Sequence, residues 1–397
     1  MISLDNTTIV FGIIVLLLAL ITPWINIFVR RPKVECDEWH DNEEEDDGDN
    51  NEKETESKEN LPPISIVITP HENARELDEN LPLFLNQDYP SEFKVIVVAW
   101  KSDSDDEDVI KRYSKDPHLY TTYIPDSSRY MSRKKLAITI GVKAAKTEWI
   151  VMTDITSRPD TNQWLRTIAG KCTEGNNLVI GYTRYEAETP EYRRFERLVE
   201  DFYLMRETSK GKTYRCDSKC LAFRKSEFNK REGFRGNLKY LRGEYDFMAN
   251  KYARPMTAAL VTDPNAWMTE EEPTNKQWRN RRLFYIENRK HLERSARHRI
   301  PIIIDQAVIH INWLAIIATA ALATLTQHWL LMAAVGLALL LTIILRSVIA
   351  LKAYKEWDVS IPTWKTTIYE TGLLWHHLLY RRRYAMKKKN DFISQKI

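Results

Sequence analysis

The sequence lacks the glycine-rich loops that commonly hold phosphate groups. Its 397 residues include 12 glycines, and neither G-x-G-x-x-G nor a Walker motif occurs. Such loops let the backbone approach a pyrophosphate closely, so their absence removes the main support for a dinucleotide-binding protein or an ATP hydrolase. The G-x-S-x-G and H-E-x-x-H motifs of serine hydrolases and zinc proteases are absent as well.

Cysteine is scarce, and its spacing does not favour a metal site. The four cysteines are Cys36, Cys172, Cys216 and Cys220. The last two form a C-x-x-x-C pair that has neither a second pair nor a nearby histidine, which argues against structural zinc. We therefore expect reduced thiols in the cytosol.

Charge is unevenly distributed along the chain. The formal net charge is +3, but residues 35–59 hold 14 acids and two lysines, a net of −12, which leaves +15 elsewhere. Because the acidic tract has no hydrophobic period, we predict a disordered linker over residues 34–61. The basic remainder suits an anionic membrane surface and a phosphorylated substrate.

A long apolar run near the N-terminus predicts a membrane anchor. Ile9–Val29 has about the length that spans a bilayer. No lysine or arginine precedes it and no small-residue cleavage site follows, so we predict an uncleaved anchor over residues 1–33 rather than a signal peptide.

Two further apolar runs predict a pair of spans within residues 291–355. They are Ile302–Thr326 and Trp329–Leu351, separated by a short turn. Asp305 and His310 are costly in hydrocarbon; they fall at the start of the first run, so we expect an interfacial position for both.

Lysine and arginine cluster on one side of all three predicted spans. This bias predicts an external N-terminus, with the central domain and the tail in the cytosol. We therefore expect a multi-pass protein of the inner or plasma membrane. The flanking residues are Arg30, Arg31, Lys33, Arg294, Arg297, Arg299, Lys352 and Lys355.

The tail, residues 356–397, combines an apolar helical pattern with basic residues. Trp364, Ile368 and Trp375 recur at helical spacing, and Arg381–Arg383 follow. The apolar run is short for a fourth span, so we predict an amphipathic helix in the membrane interface.

Short apolar runs alternate with helical patterns between residues 62 and 290. This alternation predicts an α/β domain with a doubly wound, mostly parallel sheet. After residue 224 the pattern becomes irregular and polar. The predicted strands are Ile64–Thr69, Phe93–Trp100, Leu119–Ile124, a fourth from Trp149, Leu178–Tyr182 and Leu221–Arg224.

Polar side chains come directly after several predicted strands. Ligands of open parallel sheets bind beyond the carboxyl ends of the strands, so we expect these side chains to surround one site. Acids without a glycine loop suit a metal ion bound to a diphosphate. The candidates are His71, Glu72, Asn73, Ser102, Asp103, Asp126, Asp154 and Thr156.

Several segments are specific in combination. They are Ile64–Pro70 with Asn73, Lys134–Gly141, Thr153–Pro159, Gly233-Phe234 with Gly243–Asp246, and Gln277–Arg282. They resemble the first strand, the G-K-x-x-A-L-N-x-G helix, the D-A-D-x-x-P segment, the acceptor-side motifs and the basic cluster of inverting, membrane-bound glycosyltransferases of family 2. The resemblance covers about residues 64–282 and implies a GT-A-like fold.

The resemblance also implies roles for the matched residues. It places the nucleotide pocket at Pro70, His71, Glu72, Asn73, Ser102 and Asp103, and the diphosphate near Lys134 and Lys135. It assigns Asp154, with Thr156 beside it, to the donor and to a divalent cation, Mg or Mn. It implies that Glu244 is the catalytic base, with Asp246 as the second candidate. It also implies that Gln277, Trp278, Arg279 and Arg281 close over the donor.

Plainer interpretations stand beside these roles. Asp154 would then be a turn or capping residue, Lys134 and Lys135 solvated helix charges, Glu244 and Asp246 ordinary loop acids, and the arginine cluster a membrane-facing patch.

Three acidic motifs differ from the family pattern. Ala99–Ser102 stands where D-D-G-S is usual, Thr156 replaces the second aspartate of D-x-D, and Glu244 replaces the base aspartate. Threonine is a weak, neutral ligand, so we expect reduced affinity for a divalent metal.

The sequence therefore predicts a membrane-bound glycosyltransferase. It would transfer a sugar, with inversion, from a nucleotide-diphospho-sugar to a lipid-linked or membrane-proximal acceptor. We expect the lipid bilayer, but no nucleic acid, among its partners. The alternative is a catalytically inactive relative that serves as a membrane scaffold or binding subunit.

Overall fold

The computed structural model describes residues 6–35, 61–124, 132–388 and 391–392. Nearly all of the predicted acidic linker, together with Cys36 and the candidate Asp126, lies outside the described residues.

The strands match the apolar runs of the sequence and add short ones between them. They are β1 (Ile64–Ile68), β2 (Phe93–Trp100), β3 (Leu119–Ile124), β4 (Trp149–Thr153), β5 (Ser157–Pro159), β6 (Leu178–Ile180), β7 (Thr183–Tyr185), β8 (Leu221–Arg224), β9 (Ala258–Leu260) and β10 (Met268–Glu270).

The helices include three, α7, α8 and α9, in the region after residue 224 that we expected to be irregular. They are α1 (Asn6–Ile21), α2 (Ala74–Leu85), α3 (Ser104–Arg112), α4 (Arg133–Ala144), α5 (Trp164–Gly170), α6 (Glu191–Ser209), α7 (Lys225–Lys230), α8 (Glu244–Tyr252), α9 (Asn275–Asn288), α10 (Ser295–Thr326), α11 (Trp329–Glu356) and α12 (Thr366–Ala385).

The chain divides into two compact units. One, here called the sheet unit, consists of residues 34–186, 208–272 and 388–397. The other, here called the membrane unit, consists of residues 1–33, 187–207 and 273–387. The predicted domain 62–290 is thus divided, because α9 and most of α6 belong to the membrane unit.

The sheet unit is built on a mostly parallel sheet. Its seven strands within the described residues follow the order β3-β2-β1-β4-β8-β6-β9. The strands β1 to β4 are parallel to one another, whereas β8 runs antiparallel between β4 and β6. The predicted α/β fold with a mostly parallel sheet is confirmed.

Helices cover both faces of this sheet. Ile66 and Val97 pack in a cluster with residues of α2, α3 and α5, while Val67 and Val98 pack with residues of α4 and α8. Because both faces are covered, successive residues of β1 are all buried, which explains why its sequence is apolar except for Ser65. Burial of each such Val or Ile side chain contributes roughly 1.5–3 kcal/mol.

A second, small sheet in the same unit was not predicted. It has the order β5-β10-β7, each strand being three residues long. Runs this short have no readable period, so the sequence pattern does not distinguish them from loops.

The membrane unit contains the long apolar helices. Among the described residues, three segments are long and apolar enough to cross a membrane: Thr8–Ile25, Ser295–Thr326 and Trp329–Glu356. Val15, Ala19, Ile316 and Ala338 form a buried cluster that joins α1, α10 and α11. The prediction of one such helix near the N-terminus and two near the C-terminus is confirmed.

Several polar groups are buried among these helices. Because α10 begins at Ser295, seven residues before the predicted start, Asp305 is not in its first turn; its Oδ2 accepts a hydrogen bond of 2.9 Å from the Tyr203 hydroxyl. Arg346 on α11 forms an ion pair of 2.7 Å with Glu370 on α12. A buried arginine and glutamate are tolerated because each satisfies the other.

Candidate active site

The ends of β1, β2 and β4 lie at the same edge of the sheet, because these strands are parallel neighbours. The turn after β4 is fixed by two hydrogen bonds. The Ser157 amide donates to the Asp154 carbonyl at 3.0 Å, and the Asn80 side chain donates to the Ile155 carbonyl at 2.8 Å. This turn holds Asp154 at the strand end, as we predicted.

Two lysines contact the Asp154 carboxylate. Lys134, in the first turn of α4, donates to Oδ1, and Lys219 donates to Oδ2 at 2.8 Å. Asp154 is buried, and the two ammonium groups compensate its charge in a place where an unpaired carboxylate would be costly.

Sequence reasoning did not identify Lys219. Candidates were sought after strands, but β8 runs antiparallel to β4 and pairs Leu221 with Met152. The residues that precede β8 therefore lie beside those that follow β4. The sequence did not show that one central strand runs antiparallel, and this direction was needed to identify Lys219.

The charge state of Asp154 reflects two opposing effects. Burial alone would raise the pKa of its carboxyl, but the ammonium groups of Lys134 and Lys219 outweigh burial and hold the pKa far below its ordinary value. Asp154 is therefore ionised throughout the physiological pH range.

The donor set around Asp154 does not fit a divalent cation. Mg²⁺ and Mn²⁺ are usually held by several oxygen ligands, but here one carboxylate is already engaged by two ammonium groups and Thr156 offers a neutral oxygen. Within the described ranges, no group of three or more His, Cys, Asp or Glu side chains is arranged to hold a metal ion. The predicted role of Asp154 as a metal ligand receives no support from this arrangement.

The loops after β1 and β2 contact each other. The Glu72 amide donates to Oδ2 of Asp103 at 2.6 Å, and the Asn73 amide donates to Oδ1 of Asp106 at 3.0 Å. The His71 ring lies 5.2 Å from the Trp100 ring, measured between centroids. The structure thus brings together the two loops that we predicted for the nucleotide, where Pro70 is buried and Ser102 is exposed.

Arg133 and Lys134, at the start of α4, contact the ends of β2 and β4. The Arg133 guanidinium lies 5.1 Å from the centre of the Trp100 ring, within the range of a cation–π contact. Since Lys134 contacts Asp154, the N-terminus of α4 connects the loops after β2 and β4. The sequence showed Trp100 only as a departure from the family pattern and did not show Arg133 as a candidate.

Lys135 lies in a different environment from its neighbour Lys134. Its side chain is fully buried, and its ammonium donates to the carbonyls of Asn237 at 2.9 Å and Tyr240 at 2.6 Å. Burial lowers the pKa of Lys135 to about 8, partly offset by Glu244. These contacts connect α4 to the loop before α8. To bind a diphosphate, the Lys135 ammonium would have to break them.

Glu244 begins α8, where Gly243 has a φ of +95° that suits glycine. Its side chain is buried, and its Oε1 accepts no hydrogen bond from any described residue. A buried carboxylate oxygen without a donor is costly, so this atom has an unused capacity to accept a proton or a hydrogen bond.

Asp246, two residues further on, is engaged in an ion pair. Arg215 donates to Asp246 and to Asp217, each at 3.1 Å. All three residues belong to the sheet unit, and Arg215 precedes β8 as Lys219 does.

Tyr245 connects α8 to the Asp154 cluster. The Lys219 ammonium lies 5.0 Å from the centre of the Tyr245 ring, and Asp154 and Glu244 both contribute, after burial, to the raised pKa of Tyr245. The first turn of α8 therefore lies near the end of β4, where the predicted base and the predicted donor site meet.

The remaining predicted residues belong to the membrane unit. Gln277 is part of a capping box with Thr274 at the start of α9, and the Trp278 ring lies 5.7 Å from that of Tyr380. Arg279 is exposed and Arg281 half-buried. Their proposed closure over the donor stays a prediction.

A family model matches the part of the chain that contains this edge of the sheet. Residues 65–231, rather less than half of the chain, match the model described as glycosyl transferase family 2. The chain carries a glycosyl transferase family 2 domain. The match extends from β1 through α7 and so includes Asp154, Lys134 and Lys219, but it ends before Glu244.

Solved structures show distant likenesses to most of the chain. A mannosyltransferase from Pyrobaculum calidifontis, solved with GDP-Man and Mn²⁺, is 17% identical with a TM-score of 0.49, over 93% of this chain and 98% of its own. TarS 1–349 from S. aureus, solved with UDP-GlcNAc, is 11% identical with a TM-score of 0.41, over 81% and 92%. Among curated protein sequences, none matches the chain. Both identities lie below 25% and both TM-scores below 0.5. These likenesses therefore do not show which donor or metal this family 2 domain binds.

Proposed function

We propose that the protein is a membrane-bound glycosyltransferase. It transfers a sugar, with inversion, from a nucleotide-diphospho-sugar to a lipid-linked or membrane-proximal acceptor. The observation that carries the proposal is the juxtaposition, at the strand ends of a family 2 domain, of Asp154 with its lysines and the buried acid Glu244.

The donor would lie along the ends of β1, β2 and β4. The base and ribose pack against Trp100 and His71, with the Asp103 loop beside them, and the diphosphate reaches the N-terminus of α4. Helix N-termini favour anions because their amides and the helix dipole carry partial positive charge. This placement puts the anomeric carbon near Asp154.

Glu244 is the general base in this proposal. It takes the proton of the acceptor hydroxyl, whose oxygen then forms a bond to the anomeric carbon. The bond from that carbon to the diphosphate breaks, and its electron pair leaves with the nucleoside diphosphate. Attack from the side opposite the leaving group inverts the anomeric centre. Asp246 suits this role less well, because Arg215 already engages its carboxylate.

The membrane unit supports a lipid-linked or membrane-proximal acceptor. Three helices with the length and composition of membrane spans belong to the same chain, so the domain is tethered near lipid and meets lipid-linked acceptors at high effective concentration. Two C-terminal spans are few for a polymer channel, and we expect addition of a single sugar.

Substitution of Glu244 tests the proposal. Turnover of UDP-hexoses and GDP-mannose, assayed with the full chain in detergent, should fall by about 10²–10⁴-fold in Glu244→Gln, as expected for loss of a general base. Asp154→Ala should fall comparably. Glu174→Gln, which changes an exposed acid, should retain activity. Unchanged turnover in both active-site variants would refute the assignment.

The loss of family acids also favours a second candidate, an inactive relative that binds a nucleotide-sugar as a membrane subunit. Ala99, Trp100 and Thr156 stand where the family pattern has acids. Calorimetry with the same donors, alongside the turnover assay, separates the two. Tight binding without any turnover would favour the inactive subunit.

A further inference from the structure

One carboxylate and two ammonium groups meet at the end of β4. Asp154 is 7% exposed and contacts both Lys134 and Lys219. Thr156 adds a neutral oxygen, so these side chains together carry one net positive charge. Such a cluster favours an anion over a cation.

A divalent cation bound to Asp154 would have to share the carboxylate with both ammonium groups. It would then lie close to two like charges in a partly buried place, where charge repulsion is stronger than in water. A diphosphate faces the opposite situation, since each ammonium attracts its oxygens.

Lys219 is held in position by its backbone and by an aromatic ring. Its amide donates to the Thr183 hydroxyl at 2.9 Å, and that hydroxyl is 2.9 Å from the Ser218 hydroxyl. The Lys219 ammonium lies 5.0 Å from the centre of the Tyr245 ring. The lysine is therefore preorganised on the strand-end side of Asp154 before any ligand binds.

We propose that Lys134 and Lys219 bind the donor diphosphate directly and that transfer by this protein needs no divalent cation. The inference rests on the proposed glycosyl transfer. An ammonium has three N–H donors, so a lysine can hold Asp154 and a phosphate oxygen at the same time. When the bond from the anomeric carbon breaks, its electron pair goes to the β-phosphate oxygen, and the ammonium groups neutralise the charge that develops there. Asp154 offsets part of the charge of the two lysines, whereas Thr183 holds the backbone of Lys219.

Calorimetry on the full chain in detergent tests the cation requirement. UDP and GDP are titrated in the presence of EDTA and, separately, of Mn²⁺. We expect either UDP or GDP to bind in the EDTA buffer with an affinity within about twofold of that in the Mn²⁺ buffer. A tenfold difference in affinity would correspond to about 1.4 kcal/mol. Binding that requires Mn²⁺ overturns this inference and leaves the proposed function standing. No binding in either buffer overturns the proposed function as well.

Variants of Lys219 test the contact itself. Lys219→Met should weaken nucleoside diphosphate binding in EDTA by about tenfold or more, whereas binding of the uncharged nucleoside should not change. Lys219→Arg keeps the charge and should retain most of the affinity, and Lys210→Met, which alters an exposed lysine, should match the unmodified protein. If Lys219→Met binds the diphosphate as tightly as the unmodified protein, the inference is wrong.

Asp154→Asn distinguishes an ammonium site from a metal site. A metal site would lose its carboxylate, and the affinity for the nucleoside diphosphate would collapse. At an ammonium site the change removes a negative charge beside the diphosphate, so affinity in EDTA should be equal or higher. A tenfold or greater loss of that affinity contradicts the proposal.

Discussion

Asp154 depends on two lysines that come from distant parts of the chain. Lys134 lies on α4 and Lys219 lies just before β8, and each contributes an ammonium to the same carboxylate. Without them, burial would favour the protonated acid. The chemistry of this residue is therefore set by contacts with partners 20 and 65 positions away.

A second acid, Asp106, has the opposite behaviour. It is buried at the start of α3, and burial together with the charge of Asp103 raises its pKa to about 7. Between the ordinary value of 3.8 and about 7, the folded protein holds more protons than the unfolded chain. The free energy of unfolding therefore loses a contribution from Asp106 as the pH rises through this range.

The Asp106→Asn variant removes this dependence. Its Oδ1 can still accept from the Asn73 amide, but it has no proton to lose. Between pH 4 and pH 8, the melting temperature of the unmodified protein should fall relative to that of the variant. The expected fall is roughly 2–4 °C for each kcal/mol of lost stability. Thermal melts of both proteins across that range measure the difference, and parallel curves would contradict the assignment.

At the scale of elements, α4 is the helix that organises the site. Its first turn carries Arg133 against Trp100 and Lys134 against Asp154. Its position on the sheet depends on Gly141, because a Cβ there would lie 2.5 Å from Cγ1 of Val67 on β1. The close approach of helix and strand explains why a glycine stands in the middle of this helix.

Gly141→Ala should therefore destabilise the protein. Overpacking of a close helix–strand contact costs about 1–3 kcal/mol, and the displaced α4 should also weaken nucleotide binding. Gly170→Ala is the matched control, since Gly170 ends α5 and the added Cβ would meet no atom within 4 Å outside its chain neighbours and its own helix backbone. Thermal melts compare the two variants, and equal stability would show that α4 does not pack as closely as described.

The β8 strand is the second element on which the site depends. Its antiparallel direction brings Arg215 and Lys219 to the edge where β1, β2 and β4 end. In an all-parallel sheet these two residues would lie at the opposite edge, away from Asp154. One reversed strand thus adds cations to a site whose other residues follow parallel strands.

At the scale of the whole molecule, the distribution of lysine and arginine predicts how the chain crosses the membrane. The predicted spans place the turn after α10 outside the cell and the tail in the cytosol. Cys172, Cys216 and Cys220 are buried, so single cysteines introduced into a Cys36→Ser protein report the topology.

Thr326→Cys and Lys387→Cys test this orientation. A membrane-impermeant maleimide should label the Thr326→Cys variant in intact cells, because Thr326 ends α10 and is exposed. The Lys387→Cys variant should be labelled only after the membrane is permeabilised. The reverse pattern would place the family 2 domain outside the cytosol and separate it from cytosolic nucleotide-sugars.

The sequence by itself determined what is local in this protein. The strand at Ile64–Ile68 ends within one residue of the prediction, and the three long hydrophobic stretches appear as helices whose ends differ from it by up to eight residues. Both follow because burial imposes its period on neighbouring residues. Asp154 was placed at a strand end for the same reason, since a run of buried residues stops there.

Only the tertiary structure decided which charges meet. Pairing of β8 with β4 is a contact between segments about 70 residues apart, and no periodicity within either segment encodes its direction. The structure therefore revealed Lys219 and the burial of Lys135 beside the predicted Lys134, and it revealed a site at Asp154 prepared for an anion. The physical reason is that charge compensation acts through space between distant residues, whereas a sequence pattern records only the burial of neighbours.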